Sequence, residues 1–360
     1  MTESLSQYLA PLVFSFVSTI ILVKLALKFF PIFGLMDRPQ KYGLTRKPIP
    51  YYGGTIIVTV FFIAVFLFVP MSSHVLAFLL GALLIVSVSF LDDMFGLSPF
   101  LRLGVQILAA LILVFGGIGI NSISNPFGPA IIFNAQKFTF DFGGGIIFSI
   151  SLLVTFFTLL WVVGIVNTMN FLDGLNGLPS GVSAIAALTL FFLSIRPGIH
   201  YNEALQVPVA TMSIILFATA AAFAIFDFYP AKILMGDTGS MFLGFVIATL
   251  AIFAGGKITT AFLVLGFPIL DAVWVIMRRI VQRKSPFKGD LKHLHHRLVD
   301  MGLSHRKAVL LMYFVSAFFG LTAIFLDTQQ KVFAIGLLGL AMMVVGSYAV
   351  YLGKDKKVAK

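Results

Sequence analysis

The residues of this chain able to do chemistry are carboxylates, amides and imidazoles in short loops between apolar runs. Asp92 and Asp93 end one such run, in Phe90-Leu91-Asp92-Asp93-Met94-Phe95-Gly96. Adjacent carboxylates repel each other and are costly beside hydrocarbon, so they require a cation or a proton. The plainer alternative is a pair of solvated helix-end residues, one of them capping the next helix. Arg102 and Gln106, spaced i,i+4 at the start of the following helix, can face back toward the pair. Asn167, Asn170 and Asp173 recur at three-residue steps before Gly174 and Gly177. Side chains at that spacing can converge on one ligand where glycine releases the helix into a turn. Local capping accounts for Asn176, but not for Asn167 and Asn170 in an apolar helix.

Lys232-Ile233-Leu234-Met235-Gly236-Asp237-Thr238-Gly239-Ser240 opens a later helix. Asp237 there can hold Mg²⁺ while the helix amides or Lys232 meet phosphate oxygens, or it can be an ordinary N-cap. Asp271 lies inside an apolar run three residues after Pro268; an intramembrane carboxylate points to a site, and an ion pair with a nearby Arg or Lys is the competing explanation. His293, His295, His296 and Arg297 fall together in a basic loop. With no Cys in the chain and no Glu nearby, they do not complete a zinc set, and they suit an anion such as diphosphate or uridine phosphate. Simple attraction to lipid head groups would explain the basic residues but not the histidines. The loop from Asp37 through Arg46-Lys47-Pro48-Ile49-Pro50-Tyr51-Tyr52-Gly53-Gly54 is rigid and basic, which suits a lipid-borne phosphate or a topology anchor.

These loops are positioned by membrane-spanning helices. Hydrophobic residues make up 59% of 360 positions, charged residues 11%, and mean hydropathy is +1.03. A soluble domain carries roughly a quarter charged residues, so an ordinary wetted surface is excluded. Absence of Cys excludes disulfides, thiolate metal sites and a Cys nucleophile. Runs long enough to cross hydrocarbon fall at about 10–33, 54–70, 74–91, 101–120, 146–167, 178–195, 207–226, 239–255, 259–277, 307–326 and 331–352. The first is too long for a signal-peptide core and has no basic leader, and is read as a retained span. The fold class expected is an all-α polytopic membrane protein of about eleven transmembrane helices. One set of loops holds 19 Lys and Arg, the other 4. The positive-inside rule therefore places the N-terminus outside and the C-terminal tail (353–360) in the cytosol. The large basic loop 278–307 falls on the cytosolic side, and 121–145 is an external loop of turns with a short hairpin. The net charge of +11 lies at the ends of apolar runs, where it meets anionic membrane lipid rather than nucleic acid. Ten of fourteen acidic residues share the cytosolic side. No topology rule demands that, and a hard cation with a phosphorylated substrate supplies a cause. A secondary transporter of an anionic or sugar substrate is the rival class; it would place its polar groups at the bilayer midplane, which here is apolar.

Six pieces, in order and on one face, resemble the polyprenyl-phosphate N-acetylhexosamine-1-phosphate transferases of the MraY/WecA-like glycosyltransferase 4 family. They are Lys47-Pro48-x-Pro50 with Gly53-Gly54, Asp92-Asp93, Asn167-x-x-Asn170-x-x-Asp173-Gly174-x-x-Gly177, Gly236-Asp237-x-Gly239-Ser240, Pro268-x-x-Asp271, and His293-x-His295-His296-Arg297. The last resembles the WecA/TagO branch, which transfers N-acetylglucosamine-1-phosphate, rather than the MraY branch, which uses UDP-N-acetylmuramoyl-pentapeptide. Asn176, Leu44-Thr45 and Tyr51 depart from the family pattern. The resemblance implies a single integral membrane transferase domain over 1–360 in a bacterial inner membrane, and a homodimer. It also implies attack by undecaprenyl phosphate on the β-phosphorus of UDP-GlcNAc, the first membrane step of a cell-surface glycan such as O-antigen or teichoic acid. UDP-GalNAc and UDP-MurNAc-pentapeptide are the alternative donors. Mg²⁺, with Mn²⁺ as a substitute, is the implied cofactor. Asp237 is then the main metal ligand, with Asp173 and Asp93 as further ligands, and Asp92 and Asp93 orient or deprotonate the lipid phosphate. Asn167, Asn170, Asp173, Lys47, Arg102, Lys232, Asp271, His293, His295, His296 and Arg297 are the implied substrate contacts.

Overall fold

The structure, a computed structural model, describes residues 5–42, 46–123, 125, 127–135, 137–141, 147–196, 203–253, 258–283 and 293–358. Among them the chain forms α1 (Leu9–Phe29), α2 (Gly54–Phe68), α3 (Ser73–Phe95), α4 (Pro99–Phe115), α5 (Leu152–Leu172), α6 (Leu178–Ser194), α7 (Glu203–Asp227), α8 (Gly236–Phe253), α9 (Ile258–Val264), α10 (Gly266–Val281), α11 (Leu294–Asp300), α12 (His305–Phe325) and α13 (Thr328–Val358). Six of these helices are long and apolar enough to cross a membrane, or seven counting the bent pair α9–α10 as one. Shorter apolar helices accompany them, α2, α4 and α6 included. The chain is a multi-pass membrane protein, and each apolar run read from the sequence meets one of these helices.

Helix starts follow local chemistry. Ser72, Ser98, Ser151 and Ser304 precede α3, α4, α5 and α12, and each side chain accepts the amide three residues on. Each such cap is worth about 1 kcal/mol. Helix α8 is apolar on all sides, which suits only a buried position. It packs against α2, α3, α5 and α6, and every one of its residues except Asp237 is buried. Phe61 of α2 and Phe78 of α3 meet Phe242 and Phe245 of α8 at ring distances of 5.4 and 6.1 Å. Outer helices reverse this pattern. Val13, Val17, Ile21 and Leu25 of α1 repeat at i,i+4 and are exposed, as are Phe314, Phe318, Leu321 and Phe325 of α12. Such stripes suit contact with lipid.

Two sequence expectations are corrected. The run 259–277 is not one straight span: α9 and α10 meet at 81°. The break falls at Leu265; Pro268, in the first turn of α10, has no N–H for the carbonyl of Val264, which leaves the hydrogen-bond ladder open across it. The segment 121–150 holds two antiparallel pairs, β1 (Ser122–Ile123) with β2 (Ile131–Ile132), and β3 (Phe138–Asp141) with β4 (Ile147–Ile150). The helix expected from 146 therefore starts at Leu152. Gly143-Gly144-Gly145 lies outside the described residues.

Candidate active site

The ends of α3, α5 and α7 and the starts of α4, α6 and α8 meet at one end of the bundle, because successive helices run up and down. Asp237, the sole residue of α8 that is not buried, opens toward that end. Its Oδ1 accepts from Asn170 Nδ2 at 2.9 Å, and its Oδ2 accepts from Arg102 Nη1 at 3.0 Å. Asn170 Nδ2 also reaches Ser240 Oγ at 3.3 Å. One turn earlier on α5, Asn167 donates to Gln106 Oε1 at 2.6 Å and to its own Val163 carbonyl. The three-residue spacing thus serves two different partners, one on α4 and one on α8.

The two adjacent aspartates do different things. Asp92 is buried, with Oδ2 on Arg102 at 2.8 Å and Oδ1 on the Leu97 amide at 2.6 Å. A solvated helix-end role is therefore excluded for it. Arg102 bridges Asp92 to Asp237. Asp93 accepts four hydrogen bonds, from Tyr51 Oη at 2.9 Å, the Asp237 amide at 2.9 Å, the Thr238 amide at 3.0 Å and Thr238 Oγ1 at 2.6 Å. A carboxylate offers about four lone-pair sites, so these bonds already occupy the Asp93 oxygens that the family resemblance assigns to the lipid phosphate and the metal.

Asp173 follows the last residue of α5. Burial, and then the facing carboxylates of Asp227, Asp237 and Asp93, hold its carboxyl well above the ordinary carboxylate range. Such crowding is relieved by a proton or a cation. Asp227 is a buried carboxylate that the sequence reading did not single out; it accepts from Ser180 Oγ at 2.8 Å and ties the end of α7 to the first turn of α6. Nothing in its spacing marked it, because the partner lies 47 residues away.

Asp271 pairs with His293. Its Oδ2 lies 3.0 Å from His293 Nδ1, and its Oδ1 accepts the Leu294 amide at 2.8 Å. Beyond the bend at Leu265, α10 thus holds the start of α11. His293 also tilts against Phe171 of α5 at 5.4 Å, which carries the histidine loop to the Asn167–Asp173 helix. Burial first, and His293 second, lower the pKa of His296, which favours a neutral ring. Arg297 is half-buried on α11. Lys47 and Lys232 are exposed on the loops leading to α2 and α8. The side chain of His295, and Lys284, Lys288, Asp290 and Lys292, lie outside the described residues.

The donors at this end of the bundle are oxygens, which select hard cations. Among the described residues no three carboxylates or histidines are spaced as a ready-made metal cage. Mg²⁺ would be held there by one or two carboxylates together with substrate phosphates and water.

The family described as Glycosyl transferase family 4 matches residues 75–255. An "Undecaprenyl-phosphate alpha-N-acetylglucosaminyl 1-phosphate transferase" of Haemophilus influenzae is 34% identical over 300 residues, covering 79% of this chain and 77% of its own. A "Decaprenyl-phosphate N-acetylglucosaminephosphotransferase" of Mycolicibacterium smegmatis is 30% identical over 345 residues, covering 87% and 81%. A "Probable undecaprenyl-phosphate N-acetylglucosaminyl 1-phosphate transferase" of Bacillus subtilis is 29% identical over 326 residues, covering 87% and 84%. The stretch matched by the family contains Asp92, Asp93, Arg102, Asn167, Asn170, Asp173 and Asp237. This chain belongs to glycosyl transferase family 4.

Proposed function

We propose that this enzyme transfers N-acetylglucosamine-1-phosphate from UDP-N-acetylglucosamine to undecaprenyl phosphate, giving undecaprenyl-diphospho-N-acetylglucosamine and UMP. The relatives' names support the donor and the acceptor class. The observation that carries the chemistry is Asp237, half-exposed at the start of a buried helix, with Asn170 and Arg102 on its two oxygens. Phosphoryl transfer is mostly positioning and charge neutralisation, and this end of the bundle supplies both.

The residues divide as follows. Asp237 and Asp173 would hold Mg²⁺ (or Mn²⁺), which neutralises charge on the diphosphate oxygens when bound. Asn170 fixes the direction of the Asp237 carboxylate. Arg102, already between two carboxylates, stands beside the place where diphosphate charge collects. Asp92 orients that guanidinium, and Asp93 orients the turn that carries Asp237. His293, held by Asp271, with His296 and Arg297, faces the sugar and diphosphate from α11. Lys47 and Lys232, exposed at the same end, meet the phosphate of the acceptor. The second pKa of a phosphoester lies near 6, so the acceptor is largely dianionic at neutral pH and attacks without a protein base.

The apolar helices sit in a bacterial inner membrane, with the site on the cytosolic face where a soluble nucleotide sugar meets a lipid phosphate. Purified protein in nanodiscs, given UDP-GlcNAc, undecaprenyl phosphate and Mg²⁺, is expected to release UMP. Release stops when the acceptor is left out or EDTA is added. A preference for UDP-GalNAc or UDP-MurNAc-pentapeptide over UDP-GlcNAc would overturn the donor assignment.

A further inference from the structure

Tyr51 has no part in the chemistry described so far, yet its hydroxyl is aimed at the centre of the site. It donates to Asp93 Oδ1 at 2.9 Å. The same Oδ1 accepts the Asp237 amide, and Oδ2 accepts both the amide and the hydroxyl of Thr238. Asp93 is therefore the meeting point of three segments: the loop before α2, the end of α3 and the first turn of α8. The fit around it is tight. Gly236 has φ +74°, and a Cβ there would come within 2.9 Å of Asp93 Oδ2, so a larger residue would displace the carboxylate.

Backbone bonds fix the Tyr51 loop against the same turn. Leu234 N–H donates to Pro50 O at 2.9 Å, Gly53 N–H to Leu234 O at 2.8 Å, and Gly54 N–H to Met235 O at 2.8 Å. Tyr52 is held at φ +68°, a left-handed conformation that a non-glycine residue keeps only where its surroundings over-determine it. Its ring packs on Tyr51 at 4.9 Å and on Phe90 at 5.8 Å. The direction of the Tyr51 side chain is thus set from both sides.

We propose that Tyr51 is a positioning residue: through Asp93 its hydroxyl fixes the Gly236–Thr238 turn and so sets the direction of the Asp237 carboxylate. This rests on the reading of Asp237 given above, but the latch itself is a property of the fold. Burial first, and the Asp93 charge second, raise the Tyr51 phenol above its ordinary value, so it stays a donor throughout the physiological pH range.

Tyr51→Phe removes the hydroxyl and keeps the ring. Hydrogen exchange read by mass spectrometry should show the Asp237 and Thr238 amides exchanging about tenfold faster, with amides in the middle of α8 unchanged. Mn²⁺ binding, followed by electron paramagnetic resonance, should weaken by a comparable factor of about ten. In turnover, kcat should fall while KM for UDP-GlcNAc stays near the wild-type value. Thr238→Val acts on the same carboxylate, so its effect and that of Tyr51→Phe should combine to less than their product. Wild-type exchange and wild-type Mn²⁺ affinity in Tyr51→Phe would overturn the latch. So would faster exchange spread evenly over the bundle, which would mark general destabilisation. If the wild-type protein releases no UMP but the exchange and Mn²⁺ results hold, the proposed reaction fails and the latch stands.

Discussion

Asp237 gives one oxygen to an amide and the other to a guanidinium, while its neighbour Asp173 is crowded by carboxylates. Two predictions belong to these atoms. Asp237→Asn keeps the shape but removes the charge, and UMP release should fall by about 100-fold to 1000-fold. Near-wild-type turnover would remove Asp237 from the site. Because the Asp173 carboxyl is raised, it holds a proton to higher pH than a free Asp, and a bound cation must displace it. The Mg²⁺ concentration for half-maximal activity should therefore rise as pH falls below that raised value, by about tenfold per pH unit for each proton displaced, and level off above it. A Mg²⁺ titration of UMP release across neutral pH reads this directly; a flat profile would mean that Asp173 is already ionised without metal. Sequence order made Asp237, Asp173 and Asn170 legible, because glycine and three-residue spacing leave a local trace. Asp227 and the Tyr51 hydroxyl left none, since their partners Ser180 and Asp93 lie 47 and 42 residues away.

At the scale of elements, apolar runs gave the helices, and hydropathy alone could not show which of them bend. Pro268 marked the ninth run, yet a proline kink is compatible with a continuous span, and the 81° angle leaves no local trace in the sequence. The consequence is functional, since the bend brings Asp271 to His293 and the Leu294 amide. Asp271→Ala should leave both donors without that acceptor and loosen the start of α11, at a cost of about 1–3 kcal/mol. Tryptic cleavage after Arg297 should then run faster than in the wild type, while cleavage elsewhere is unchanged. Equal cleavage rates would mean that α11 is held by its apolar contacts alone.

For the whole molecule, the asymmetry of charge has two causes. In the proposed topology basic residues set orientation, and acidic residues gather at the end of the bundle proposed to bind a phosphorylated donor and a lipid-borne phosphate. A fluorescent protein fused after Lys360 should mature and fluoresce, as it does only in the cytosol; loss of fluorescence with a stable fusion would reverse the proposed topology. The reaction itself is tested most directly by following the β-phosphorus. With UDP-GlcNAc labelled with ³²P at the β-phosphate, the label should pass into the butanol-soluble lipid while unlabelled UMP appears in equal amount. Label retained in water-soluble UDP, with the sugar alone on the lipid, would contradict the transfer of a phosphosugar by this protein.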